Sequence, residues 1–536
     1  MSRARAALAI GAALLIVAAV QQALVSAHNF GGADEWLLLD LSSRGILGVP
    51  YANRPLVLFW HALPARLWPG SLAAFWAFAG LYRLGAGLLT AAIVLRLAPG
   101  RQRLALIAGA CAVAWTPLDH LRLDAVLICG YEGVTLATMA AVLLFVESWY
   151  RRSPWLLVGA LALSGVAALS VESVIPVLAV APAACWRPVR DERRRFAGWA
   201  LAWEAVAVLG ALHAAWPVLT RQPSYQTGAL GLDASPLRVA GRVLQLLGMQ
   251  LRPLLEPLAA PLPWPGVAAV LIAALAFAAG YALLRQEGTA SEVSPRRTLR
   301  ALATGLLFAA AAHATMALVS TIRTPARTQI VSGPGMAIAL AAVIALLADR
   351  LPRRWRAVLA GTAGAWIVAC GTARVAAMQA EWDGSRSLFP AQAETLARLT
   401  AAAPSLVPGT VVLLLDDGAP AWPMTFTFRH ALRYLYGDGV VGEVIGANDF
   451  LYPSRFTSDG LLVTPLPAIC AEWQVRPSFH PWDSLVVARR RADGSLVVLA
   501  DWPADLPPLP ASARYAPQRR IEATPVHLRE RRVLQE

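Results

Sequence analysis

The chain has no lysine, so all 47 of its basic residues are arginine. It is poor in charge of either sign. Only 15% of its 536 residues are charged, where a soluble domain carries about 25%. Cysteine is sparse too: Cys111, Cys129, Cys185 and Cys370 lie in or beside apolar runs, and Cys470 stands alone in the C-terminal part. That spacing excludes a disulfide framework and a cysteine metal site. The C-terminal part has no Gly-rich phosphate loop, triad or metal motif. The formal net charge of +14 would suit a nucleic-acid binder, but the arginines cluster in short loops between apolar runs. That distribution excludes a nucleic-acid partner and fits membrane orientation.

What is abundant is apolar length. Hydrophobic residues make up 57% of the chain, with a mean hydropathy of +0.53. A hydrocarbon core of about 30 Å needs about 20 apolar residues, and many windows reach that. Span 1 (about 6–27) follows Arg3 and Arg5, so it starts in the cytoplasm and reads as a retained span, not a cleaved leader. An external loop (28–70) leads to span 2 (about 71–95), then span 3 (about 104–117) and span 4 (about 125–148). The run from Trp155 to Trp186 is interrupted by Ser170-Val171-Glu172-Ser173 and Pro176. One long span there would put the arginines of 187–195 outside. Two short arms meeting near Glu172 keep both basic clusters inside, and Glu172 then sits below the outer surface, lined by protein or water.

Further spans follow at about 196–216, 266–284, 299–319, 331–348 and 356–377. An external loop (217–265) carries an amphipathic helix through Leu237, Val243 and Leu247. The reading is a polytopic α-helical protein of a bacterial-type inner membrane, with about eleven spans over 1–379. A C-terminal extracytoplasmic α/β domain (380–536) completes it. In that domain Thr410–Leu415 reads as a buried strand, and Phe426–Tyr436 as a helix stopped by Gly437. Residues 484–490 and 495–499 read as a hairpin with an Asp493-Gly494 turn. Glu132, Glu204 and His313 fall inside spans, where ionisable groups are functional candidates by default.

The first external loop opens with Gly31-Gly32-Ala33-Asp34-Glu35-Trp36. Two short, aromatic-rich amphipathic pieces suited to the interface flank Asn53-Arg54-Pro55-Leu56. An acidic pair just past span 1, with interfacial helices behind it, resembles the polyprenyl-linked glycosyltransferases of the GT-C superfamily. Arg54-Pro55-Leu56 is similar to the "YRPL" element of the branch that holds the TMTC-type O-mannosyltransferases. Ser170-Val171-Glu172 with Pro176 is similar to that branch's "SKE…P" element, with Val171 in place of Lys. Arg323 to Gly335 stands where the branch has "ERY.Y.PS.G", without its aromatics. The usual tetratricopeptide tail is replaced by the α/β domain.

The resemblance implies a GT-C-like fold and a sugar taken from a polyprenyl-phosphate donor. The sugar passes to a glycan, lipid or protein acceptor outside the cytoplasm, by an inverting single displacement. A carboxylate acts as general base on the acceptor hydroxyl, and arginines hold the phosphate in bidentate fashion. By resemblance the base is Asp34, with Glu35 as the alternative. Arg54, Arg323 and Arg327 are the donor-phosphate candidates. His120, Arg122 and Asp124 mark a second external segment where such enzymes often place a polar site residue. Glu172 is expected to orient donor-site arginines. A divalent metal, Mg or Mn, is left open, with no ligand set assigned.

Each residue has a plainer reading. Asp34 and Glu35 suit a cap on the helix starting at Trp36. The arginines suit snorkelling to headgroups, and residues 120–124 suit any exposed turn. Asp40, one turn beyond Trp36, reads as a polar-face residue, and Trp36 or Trp60 as candidate sugar-stacking rings. Two other functions stand beside the enzyme: a lipid or glycan transporter or flippase, and a non-catalytic GT-C-like scaffold. Transporters tend to show matching broken helices in two halves, and only the run near Glu172 is broken.

Overall fold

The structure is a computed structural model that describes residues 3–32, 34–48, 54–114, 123–185, 192–220, 233, 235–254, 262–284, 295–319, 325–418, 420–473 and 476–535. The helices run in chain order from α1 (Arg3–Ala23) through two short ones, α2 (Glu35–Ser43) and α3 (Phe59–Leu67). Next come α4 (Leu72–Leu97), α5 (Gln102–Ala114), α6 (Ala125–Arg151), α7 (Pro154–Ser170), α8 (Ile175–Val180) and α9 (Pro182–Cys185). The set continues with α10 (Arg193–Leu219), α11 (Pro236–Leu251), α12 (Trp264–Leu283), α13 (Pro295–Ala317), α14 (Pro325–Asp349) and α15 (Arg353–Glu381).

Among the described residues, eight helices are long and apolar enough to cross a bilayer, with three shorter apolar segments at 102–114, 154–170 and 172–184. These correspond to the eleven segments read from sequence. The short ones do not span a full hydrocarbon core as straight helices. At 13 residues, α5 covers about 20 Å, less than a hydrocarbon core of about 30 Å. The protein is thus a polytopic helical membrane protein with a mixed α/β region at its C-terminus.

The break near Glu172 is visible in the backbone. α7 stops at Ser170, Val171 is extended, and Glu172–Val174 forms a single 3-10 turn. Pro176 has no N–H to donate to the carbonyl of Glu172, so the helix cannot run through. The break is stitched to the first loop: Leu56 N–H donates to Leu169 O at 3.1 Å, and Ser170 Oγ to Leu56 O at 3.0 Å. These bonds bring Arg54 beside Glu172. α13 and α14 pack backbone to backbone. A Cβ on Gly305 would meet Ala339 N at 2.5 Å, and one on Gly335 would meet Ala309 N at 2.5 Å. Small residues permit such closeness between apolar helices, and here it holds the middle of α14 against α13.

Of the two loop helices expected at the interface, α3 has that character and α2 does not. α3 exposes Phe59, Leu63 and Leu67 in one stripe, as a lipid-facing helix should. α2 is buried along its length from Glu35 to Ser42, because the C-terminal region covers it. α11 exposes Leu237 and Leu244 while burying Leu246 and Gln250.

The C-terminal region follows as α16 (Phe389–Ala402), β1 (Ser405–Leu406), β2 (Val411–Asp416), α17 (Thr425–Tyr436) and β3 (Val441–Ile445). Then come β4 (Ser454–Phe456), β5 (Gly460–Val463), α18 (Pro467–Trp473), β6 (Ser478–Pro481), β7 (Leu485–Arg490), β8 (Leu496–Val498) and β9 (Ile521–Glu522). The main sheet has the order β3-β2-β7-β8, with β2 parallel to β3 and β7, and β8 antiparallel. β4-β5-β6 forms a second sheet, and β1 pairs with β9. Gly437, at φ +92°, ends α17 as its sequence position suggests.

Candidate active site

The first loop and three helix ends meet at one end of the helical bundle. Asp34 occupies the N-cap position of α2, yet its side chain makes no capping bond. It faces Arg327 in the first turn of α14, with Nη2 to Oδ2 at 3.6 Å. Both line a pocket of about 60 Å³ together with Arg54, Val57, His61 and Tyr131.

Arg54 is held from behind by Glu172, with Nε to Oε2 at 2.7 Å and a second guanidinium contact to the other carboxylate oxygen. This is the bidentate geometry that carboxylates and guanidiniums favour. Asp34 and the two arginines therefore line the pocket, with Glu172 behind Arg54.

Glu35 does something else. Only 1% exposed, it accepts from Gly32 N at 3.0 Å and from Val126 N at 3.3 Å. It thus serves as the acceptor for the first turn of α6, where Asp124, at the N-cap position, makes no side-chain capping bond. Both carboxylates flank Gly32: a Cβ there would meet Glu35 Oε2 at 3.5 Å and Asp124 Oδ2 at 3.7 Å. The expected cap on α2 is in fact a cap on α6. Burial pushes the Glu35 carboxyl up to about 8, against the lowering effect of its backbone hydrogen bonds. The sign then follows. The folded value lies above the usual 4.5, so its stability contribution is full below about 4.5 and is lost as pH rises through about 8. Glu35→Gln should flatten thermal stability between those pH values and leave turnover near wild type. An unchanged pH slope would remove Glu35 as its source.

Other expectations are revised by packing. Asp40, read as polar-face, is fully buried and accepts from Arg44 Nε at 2.8 Å, His430 Nδ1 at 3.0 Å and Arg433 Nε at 2.6 Å. Burial raises the Asp40 carboxyl, but the His430 hydrogen bond and the surrounding arginines outweigh it, and the net direction is down. Trp36 is fully buried among Phe30, Phe389, Trp422 and Tyr434, so it is no sugar platform. Trp60 packs on Tyr82 and against Gly133. Glu132 pairs with Arg83 at 2.9 Å. His313 bonds Thr328 and Gln250. Glu204 lines a separate groove of about 750 Å³ with Trp149 and Arg193. His120, Arg122 and Arg323 lie outside the described residues.

His61 is one pocket residue, with Tyr131, that sequence reasoning missed. It is buried, and its Nε2 lies 2.9 Å from the Val126 carbonyl. A carbonyl only accepts, so Nε2 carries the proton. Burial drives the ring down to about 4, which keeps it neutral near pH 7. The one available signal was its position, inside the Phe59-Trp60-His61 run of the same loop.

Among the described residues no group of three His, Cys, Asp or Glu side chains could hold a metal ion. The pocket's own carboxylates each face an arginine, a donor set that suits an anion and not a cation.

No protein-family model matches the chain, and no curated protein matches it. Among solved structures, the chain is similar to ArnT from Cupriavidus metallidurans bound to undecaprenyl phosphate. That match has 13% identity and a TM-score of 0.38, and it covers 75% of this chain and 82% of that one. It is too distant for any residue to be carried across.

Proposed function

We propose that the protein is a membrane glycosyltransferase that moves a sugar from a polyprenyl phosphate to an acceptor hydroxyl. The observation that carries this is the shared pocket of Asp34, Arg54 and Arg327. The donor is a phosphodiester with one negative charge. Arg54, braced by Glu172, and Arg327 bind its phosphoryl oxygens with charge-assisted hydrogen bonds. The sugar lies at the pocket mouth. As Arg327 turns to the phosphate it releases Asp34, whose carboxylate then accepts the acceptor's proton. The acceptor oxygen bonds to the anomeric carbon as the bond from that carbon to the phosphate oxygen breaks. Polyprenyl phosphate leaves with the electron pair, held by the two arginines. One displacement inverts the centre. His61 and Tyr131 offer a neutral wall to the same pocket.

In this reading the N-terminus is cytoplasmic, and residues 380–536 form an extracytoplasmic domain apart from the spanning part, 1–379. Protease added to sealed inside-out vesicles should leave 380–536 uncut. Rapid cleavage there would reverse the orientation. The activity test is purified protein in lipid nanodiscs with a panel of radiolabelled polyprenyl-phosphate sugars. Release of polyprenyl phosphate that requires Asp34 supports the function. No turnover with any donor, or turnover that survives Asp34→Asn, rejects it.

A further inference from the structure

The C-terminal region grips the Asp34 segment at both ends. On one side, Gln392 of α16 accepts from Trp36 Nε1 at 2.8 Å, and its own amide donates to Gly31 O at 3.1 Å and Ala421 O at 2.9 Å. Gly31 is at φ +98°, and a Cβ there would lie 2.4 Å from Gln392 Oε1. Only glycine permits that approach. On the other side, Asp40 takes its three donors from Arg44, His430 and Arg433, two of them on α17. Arg44 adds an ion pair to Asp438 beyond the end of α17. Asp34 sits between these two anchors, on a helix with no exposed residue from Glu35 to Ser42.

We propose that the C-terminal α/β region is a clamp that sets the position of Asp34, with Asp40 and Gln392 as positioning residues. This rests on the reading of Asp34 as the base. The chemistry makes such a clamp consequential. A misplacement of about 1 Å in a reacting group costs about a hundredfold in rate. The segment's own short helix, 9 residues long, cannot hold that tolerance unaided. A buried carboxylate with three donors also has a steep preference for one arrangement, because losing it strands two arginines beside the interface.

The test uses the full-length protein with Asp40→Asn and Gln392→Leu. His430→Gln, which removes one donor only, serves where Asp40→Asn does not fold. Backbone hydrogen exchange over residues 31–43 should rise about tenfold in each variant, with the spanning helices unchanged. Turnover should fall about a hundredfold in kcat with KM for the donor not raised, since Arg54 and Arg327, which hold the donor, lie outside α2. Unchanged exchange over 31–43 in these variants overturns the clamp. Faster exchange with undiminished kcat overturns the positioning role. If the wild type turns over no donor, the functional reading has failed, and exchange alone decides whether the clamp exists.

Discussion

Asp34→Asn is expected to lower turnover about a thousandfold, within the range that removal of a general base produces. Asn keeps the shape and the hydrogen-bonding capacity of the side chain but cannot take the proton from the acceptor. The effect on donor affinity should run the other way. Asp34 competes for Arg327, which stands 3.6 Å from its carboxylate. Removing that charge frees the guanidinium for phosphate, so polyprenyl phosphate should bind the variant at least as tightly as the wild type. Slow turnover with retained binding separates a chemical role from a folding defect. Turnover within about tenfold of wild type would remove Asp34 as the base.

The second large effect belongs to the Arg54–Glu172 pair, whose side chains are 11% and 30% exposed. Arg54→Leu leaves Glu172 as a half-buried charge facing Arg327 alone. Glu172→Leu leaves Arg54 in the same position. Each single change should cost about 2–3 kcal/mol, less than the roughly 3–5 kcal/mol for a fully buried pair because solvent reaches Glu172. The double Leu variant should recover most of that, because no orphaned charge remains. Donor binding should behave differently, being lost in Arg54→Leu and still lost in the double variant. A double variant as unstable as the singles would show that the two residues are not one unit. A double variant that still binds polyprenyl phosphate would take Arg54 out of the donor site.

Much of the architecture is legible in the order of residues. The apolar segments at 102–114, 154–170 and 172–184 are short in the sequence and short in the structure. The break at Glu172 follows from arginine placement and Pro176. The hairpin of β7 and β8 follows from Asp493-Gly494, with Gly494 at φ +81°. These are local or solvent-driven effects: a bilayer selects length and hydropathy, and a turn selects glycine.

The site was legible only in part. Asp34 and Glu35 are adjacent and chemically alike, and nothing in their neighbours divides their tasks. The division comes from Val126, whose N–H at the start of α6 takes Glu35 and leaves Asp34 to face Arg327. Asp40 has the spacing of a solvated face, but α17, about 390 residues further on, covers it. His61 gave no signal beyond its place in the first loop, because its orientation is set by a carbonyl on α6.

The chain order alone determined the membrane class, the segments able to cross and the set of polar residues left near one surface. Each of those depends on composition within some twenty residues, which is the range over which a bilayer or a turn acts. Tertiary structure decided which carboxylate faces the arginines, what covers α2 and which aromatics are sealed away. Those outcomes depend on contacts between segments a hundred or more positions apart, and no local pattern encodes the partner that arrives.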